Sequence, residues 1–270
     1  MTSSPLDISL FYLMALALLQ GITEFLPVSS SAHLFLWGII SGKEQSIDID
    51  IALHFGSFFA VALFCRHDIK ALLHAVLARL RGQSHPHDPL LRFVLYGTIP
   101  LFCFGALLRY GFAIDSWRSL QYVAIANIVF ALFLWCADRY GGTTRNIASL
   151  SRKHALMVGL CQSLALLPGV SRSGAVITAS RLLHMSRAHA LHGSFLLSMP
   201  ALLGAMSLVF IDMAHDPRAL SLSVLITSTA FSFITAFASL HLLTRWVRTF
   251  SFTPFVLYRL VLGATLLYLA

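Results

Sequence analysis

Charged side chains are scarce in this sequence. Lysine, arginine, aspartate and glutamate make up 11% of its 270 residues, whereas 57% are hydrophobic. A soluble domain carries about 25% charged residues, so an ordinary soluble enzyme is excluded and a polytopic membrane protein is indicated. Length alone would suggest about two soluble domains, but a single membrane domain over residues 1–270 is the simpler reading. Acids are the scarcest charge, 11 against 19 bases. No polar segment interleaves aromatics with those bases, so no nucleic-acid partner is expected. Cysteine is sparse too. Cys65, Cys103, Cys136 and Cys161 stand singly in apolar segments without metal-ligand spacing, and read as buried small hydrophobes. The first residues lack a basic region and a small-residue cleavage site, so no cleavable signal peptide is expected.

Polarity is instead concentrated in one stretch, Gln20 to His33. It holds a carboxylate (Glu24), an amide (Gln20), three consecutive hydroxyls (Ser29, Ser30, Ser31) and an imidazole (His33), between apolar runs at Leu10–Leu19 and Leu34–Ile40. An ionised residue at the bilayer centre costs about 2.5–3.5 kcal/mol on insertion scales, so its presence needs a reason. Pro27 removes a backbone donor and breaks helical continuity. Broken helix at membrane depth is tolerated only where protein buries it or it lines a wet cavity. The stretch therefore reads as a polar break facing a cavity.

Residues 5–19 and 34–40 are each short of the roughly 20 residues of a full span, which predicts a re-entrant hairpin of two half-helices. A loop is expected over Gly42–Asp50 and a first span over Ile51–Cys65. Between His67 and Gly82 the apolar residues recur at helical spacing on one face, predicting an amphipathic helix on the membrane surface. Spans follow at Phe93–Tyr110 and Trp117–Ala137, joined by a tight turn around Gly111–Ser116. After a basic connector comes a second pair of short apolar pieces, His154–Leu167 and Ala175–Met185, flanking Pro168-Gly-Val-Ser-Arg-Ser-Gly174. Spans are again expected at His189–Ile211, Leu220–Leu243 and Pro254–Ala270. Alternating the loops places thirteen lysines and arginines on one side and only Lys43, Arg109, Arg118 and Arg218 on the other. The first side is then cytoplasmic and both termini lie outside.

The two halves, about 1–140 and 150–270, repeat. Gln20–Ser31 aligns without gaps onto Gln162–Ser173, and Ala52-Leu-His-Phe-Gly-Ser-Phe58 echoes Ala190-Leu-His-Gly-Ser-Phe195 with one gap. Each half reads as a re-entrant hairpin followed by three spans. Three is odd, so the second half is inverted and the hairpins can meet near the midplane, a transporter-like plan. The fold expected is an all-α integral-membrane inverted repeat.

At that meeting point a phosphate site can be read. Arg172 offers a planar donor fork suited to phosphate oxygens. Ser171, Ser173, Gly169 and Gly174 supply hydroxyls and backbone N–H groups at a half-helix N-terminus, which favours anions. Opposite lie the triple serine, His33 and Glu24, so charge stabilisation, nucleophile and acid–base are all present for phosphoryl transfer. A structural alternative stays open: the serines can bond neighbouring carbonyls, and Arg172 with Glu24 can be a structural pair. His54 and His192 read as helix-packing residues. Arg259, about two turns into the last span, is expected to snorkel to the interface.

Gln20-Gly-Ile-Thr-Glu-Phe-Leu-Pro-Val-Ser-Ser-Ser-Ala-His33 and Pro168-Gly-Val-Ser-Arg-Ser-Gly174 resemble the two signature motifs of bacterial undecaprenyl-diphosphate phosphatase, the bacitracin-resistance protein family. The span order resembles that family over essentially the whole chain. Two departures stand out: Val176 occupies the place of the family's threonine, with Thr178 two residues further on, and Ala32 replaces a common glycine. The other membrane lipid-phosphatase superfamily is excluded, because no Lys-x6-Arg-Pro occurs and the histidines after Arg187 are misplaced. The resemblance implies hydrolysis of undecaprenyl diphosphate to the monophosphate carrier of peptidoglycan synthesis, in the bacterial inner membrane, with a divalent cation (Mg or Ca). On this reading Arg172 clamps phosphate with Ser171 and Ser173, and Ser30 is the nucleophile with Ser29 and Ser31 beside it. His33 serves as acid or base, and Glu24 with Gln20 holds a metal or orients attack. The expected partners are the membrane and a polyprenyl diphosphate lipid, with a homodimer as the assembly considered. A transporter or flippase of polyprenyl phosphate is the alternative.

Overall fold

The computed structural model describes residues 10–42, 47–111, 119–215 and 222–270. Eleven α-helices are found among the described residues: α1 Leu10–Thr23, α2 Ser30–Ser41, α3 Ile47–Phe64, α4 Arg66–Leu80, α5 Asp88–Gly111, α6 Leu120–Tyr140, α7 Arg152–Ser163, α8 Arg172–Leu182, α9 Arg187–His215, α10 Leu222–Thr249 and α11 Thr253–Tyr268. Strands are absent among these residues, as an apolar solvent demands: a helix satisfies its own backbone polar groups within one segment. The protein is an all-α, multi-pass membrane protein.

Helices α5, α6, α9 and α10 are long and apolar enough to cross a membrane. Helices α3 and α11, expected as spans, have 18 and 16 residues, or about 27 and 24 Å of helix at 1.5 Å per residue. They are somewhat short of the roughly 30 Å hydrocarbon layer. The expected loop at Gly42–Asp50 is shorter than read, because α3 begins at Ile47; residues 43–46 lie outside the described residues. The turn expected around Gly111–Ser116 also lies outside them, apart from Gly111, which ends α5. The amphipathic helix is present as α4, its Ala75 buried and its Leu73, Leu77 and Leu80 outward.

Packing exchanges partners between the halves. Helix α1 packs on α10 as α7 packs on α5, and α6 pairs with its repeat counterpart α11. Lipid gives apolar helices little reason to prefer each other, so small residues and interhelical hydroxyl bonds do the joining, each worth about 0.6 kcal/mol. Ser232 donates to the Leu53 carbonyl at 2.6 Å and Thr229 to that of Ala52 at 3.1 Å, tying α10 to α3. Thr235 donates to the Ala17 carbonyl at 3.1 Å, tying α10 to α1. Opposite, Gln162 Nε2 donates to the Gly97 carbonyl at 3.2 Å, tying α7 to α5.

One end of the bundle is closed by Asp138 at the end of α6. It accepts from Arg181 of α8 at 3.2 Å, from Arg187 of α9 at 2.7 Å and from the Phe252 N–H at 3.1 Å. Arg181 also donates to the carbonyls of Gly141, Gly142 and Met185, so this buried charge is fully partnered. Of the cysteines, Cys65 is buried as expected and Cys161 partly so, but Cys103 and Cys136 are exposed. Both stand on spans that present apolar side chains outward, where a thiol is as compatible with lipid as with a core.

Candidate active site

The two polar breaks have the same local construction. Ser29 and Ser171 both adopt left-handed backbone, with φ of 69° and 68°. A non-glycine residue held there costs about 1–3 kcal/mol and marks a functional constraint. Each serine is the N-cap of the half-helix that follows: Ser29 Oγ accepts from Ala32 N at 3.4 Å, and Ser171 Oγ from Gly174 N at 3.2 Å. Each also contacts the serine two places on, Ser29 with Ser31 at 3.1 Å and Ser171 with Ser173 at 3.2 Å.

The breaks are stitched together across the repeat. Ser31 Oγ accepts from Gly169 N at 3.1 Å. The aligned bond in the other direction cannot form, because Pro27 has no N–H; Ser173 instead donates to the Leu26 carbonyl at 2.8 Å. Gly169 is the one residue the junction requires to be glycine on two counts. Its φ is +93°, and a Cβ there would lie 2.3 Å from the Val123 carbonyl oxygen of α6.

These bonds sort the serines. Ser29, Ser31, Ser171 and Ser173 hold the backbone of the breaks, and the Gly169 and Gly174 N–H groups, expected to face an anion, already donate to Ser31 and Ser171. The reason is general: half-helix N-termini leave donors that a nearby hydroxyl satisfies first. Ser30 is different. Its Oγ faces Glu24 Oε2 at 3.4 Å.

Glu24 is the hub. Its Oε1 accepts from Arg172 Nη2 at 2.9 Å and its Oε2 from Gln20 Nε2 at 2.8 Å. The two charged side chains are 7% and 14% exposed, so the pair is shielded from water. Two polar atoms beside it have no protein partner among the described residues: Arg172 Nη1, a donor, and Gln20 Oε1, an acceptor. A buried polar atom left unpaired costs about 1–3 kcal/mol, so each is poised to take a group from outside the chain. His54, read as a packing residue, reaches this cluster, with Nε2 3.5 Å from Gln20 Nε2.

His33 does not touch Ser30. Its Nδ1 meets the Ser29 carbonyl at 2.7 Å, which makes Nδ1 the protonated nitrogen, and its Nε2 meets the Tyr258 hydroxyl at 2.7 Å. The two rings stack with centroids 5.5 Å apart. Tyr258, on α11, was not singled out from the sequence; a tyrosine near a helix end gives no local signal.

The structure also corrects the expectation for its neighbour. Arg259 does not snorkel: it is 0% exposed. Its Nε donates to Asn127 Oδ1 at 2.8 Å, and its Nη2 to the carbonyls of Gly169 and Val170 at 3.1 Å each. Asn127 returns a bond to the Arg259 carbonyl at 2.9 Å. A helix break frees carbonyls that hydrocarbon cannot satisfy, and this guanidinium caps them. Val176 lies wholly in the core, and Thr178 donates to the Gly174 carbonyl at 2.7 Å, so neither presents a free group to the site.

Gln20, Glu24, Ser30 and Arg172 thus converge, drawn from two breaks 148 residues apart across their central ion pair. Compared with known families, residues 13–265 match the family described as bacitracin resistance protein BacA. The match spans both breaks and nearly the whole bundle, and this chain belongs to the bacitracin resistance protein BacA family.

Proposed function

We propose that the protein is an integral-membrane phosphatase that hydrolyses undecaprenyl diphosphate to undecaprenyl phosphate and inorganic phosphate in the bacterial inner membrane. Membership of the bacitracin resistance family supports the phosphatase class. The observation that carries the reading is the Glu24–Arg172 pair with Ser30 on its carboxylate. Arg172 keeps one arm on Glu24 and has the other, Nη1, for a phosphate oxygen. Glu24 Oε2 takes the proton as Ser30 Oγ attacks the terminal phosphorus. The bridging P–O bond breaks and the lipid monophosphate leaves. Water then hydrolyses the phosphoserine: Glu24 returns its proton to the departing Ser30 Oγ, and His33, deprotonated in the first step, takes the proton of the water. His33, tuned by Tyr258, supplies the acid for the departing lipid phosphate.

A divalent cation fits the residues present. Glu24 and the unpartnered Gln20 Oε1 are a carboxylate and an amide oxygen side by side, a small donor set of the kind that Mg²⁺ completes with substrate phosphates. When bound, it would neutralise diphosphate charge and polarise the phosphorus. Transport of polyprenyl phosphate is the second reading, favoured by the exchange of helix partners between the repeats. Phosphate release by purified, detergent-solubilised protein on long and short prenyl diphosphates, with and without chelator, tests the proposal. Transport needs no bond cleavage, so absence of phosphate release leaves only the second reading.

A further inference from the structure

A second group of chemistry-bearing side chains lies away from the breaks, at the end of the bundle that carries Arg66 and Lys70. Helix α3 ends at Phe64, Cys65 makes the turn, and α4 starts at Arg66. Cys65 and Asp68 are three residues apart across this helix start, so both face the same side. Helix α9 packs on α3 and brings His192, whose Nε2 lies 3.1 Å from Asp68 Oδ2. One donor atom from each of Cys65, Asp68 and His192 lies within 4.8 Å of the other two. Beside them is a cavity of about 270 Å³, lined by His189, His192, Thr244 and Arg248 together with Phe64 and Phe195.

We propose that Cys65, Asp68 and His192 form a binding site for a transition-metal dication, Zn²⁺ in the first instance, that staples α4 to α9. The donors are one thiolate, one carboxylate and one imidazole, the N/O/S mixture that zinc accepts, and the cavity leaves a fourth position for water. Zinc–ligand bonds of about 2.0–2.3 Å put tetrahedral donors roughly 3.3–3.8 Å apart, so small side-chain rotations close the set. Charge also balances. Zn²⁺ with a thiolate, a carboxylate and a neutral imidazole is locally neutral, so Arg248 on the cavity wall does not repel it.

The surroundings explain why the thiol is otherwise idle, while Asp68 and His192 already pair. Cys65 is a free thiol buried at the helix turn, where it is inert and keeps its proton without a metal. Metal binding is what releases that proton, and the N-terminus of α4 then favours the thiolate. The repeat offers a contrast: His54, the counterpart of His192, sits at Gln20 in the polar break, whereas His192 has Asp68 and Cys65.

The test is independent of turnover. Purified full-length protein in detergent is stripped with a chelator and titrated with Co²⁺ alone, then with Zn²⁺. A single equivalent of Co²⁺ should give thiolate-to-cobalt charge-transfer absorption that Zn²⁺ abolishes by displacement. Replacing Cys103, Cys136 and Cys161 by serine should keep the band, and adding Cys65→Ser should remove it. Asp68→Asn and His192→Ala, on partly exposed side chains, should each weaken Zn²⁺ by more than about tenfold. No charge-transfer band in the parent protein overturns the proposal, as does a band that survives Cys65→Ser. Should Cys65→Ser fail to fold, His192→Ala decides: Zn²⁺ affinity equal to the parent's overturns the site.

Discussion

Arg172→Lys keeps the charge and removes the fork, and the structure says what that costs. Arg172 Nη2 is committed to Glu24 Oε1 at 2.9 Å, while Nη1 has no protein partner among the described residues and is shielded from solvent. Two jobs therefore fall to two nitrogens about 2.3 Å apart on one rigid plane. A lysine has one ammonium. If it pairs with Glu24, the phosphate loses its clamp; if it reaches the phosphate, Glu24 is left as a buried carboxylate without its cation. Either way one charge-assisted hydrogen bond disappears, worth about 1.5–3 kcal/mol. At about 1.4 kcal/mol per tenfold, that is roughly a ten- to 150-fold fall in kcat/KM. Phosphate release from a polyprenyl diphosphate, with kcat and KM resolved separately, measures it, and thermal unfolding of the same sample checks that the bundle is intact. A second comparison uses Glu24→Gln. Because both changes break one contact, the double variant should lose less than the product of the single losses. A folded Arg172→Lys protein within about threefold of the parent kcat/KM would refute the two-armed reading.

Glu24→Gln places an amide NH₂ against either Arg172 or Gln20, donor against donor, and removes the base from Ser30; turnover should fall about 10²–10⁴-fold. Gln20→Glu should keep activity, since a second carboxylate strengthens the cation site. It should become less sensitive to chelator than the parent, and equal sensitivity would remove Gln20 from that site. Tyr258→Phe deletes the hydroxyl 2.7 Å from His33 Nε2; a loss of about 0.5–1.5 kcal/mol predicts a two- to tenfold lower kcat with little change in KM and a displaced pH–rate profile. An unaltered profile would separate Tyr258 from the chemistry. Gly169→Ala forces a side chain into left-handed backbone against the Val123 carbonyl, so expression or thermal stability should drop sharply, by at least about 1–3 kcal/mol. Finally, single cysteines at Ser46 and Ser84, in a protein freed of its native four, should differ in intact cells. A membrane-impermeant reagent should label position 46 and not 84, and position 4 should label with 46. Labelling of position 4 only from the cytoplasm would mean that residues 5–40 cross, and would end the inverted arrangement.

Much was legible because lipid is a demanding solvent. The apolar runs had to be helices, and the scarcity of charge made Glu24 and Arg172 conspicuous. Pro27 and Gly169 announced the breaks, and the ungapped match of Gln20–Ser31 to Gln162–Ser173 predicted that they are built alike. Helix α4 was readable from its single apolar face. Serine assignments were not, since three adjacent hydroxyls look equivalent until backbone direction is known. The φ of 69° at Ser29 turns its hydroxyl to a cap and leaves Ser30 facing Glu24.

Sequence alone determined the class of solvent, the helices, the two breaks and the residue types gathered at them, because each follows from local composition, periodicity or covalent constraint. Tertiary structure decided which polar groups find one another. Arg259 is the sharpest instance: by position it could have reached the interface, yet α11 packs on α6, where Asn127 and the freed carbonyls of Gly169 and Val170 hold it at 0% exposure. The same holds for Tyr258 on His33 and for Cys65 beside Asp68 and His192. Hydrogen bonds and ion pairs act over about 3 Å, whereas these partners lie up to 225 residues apart in the chain. Only the packing of helices fixes such distances.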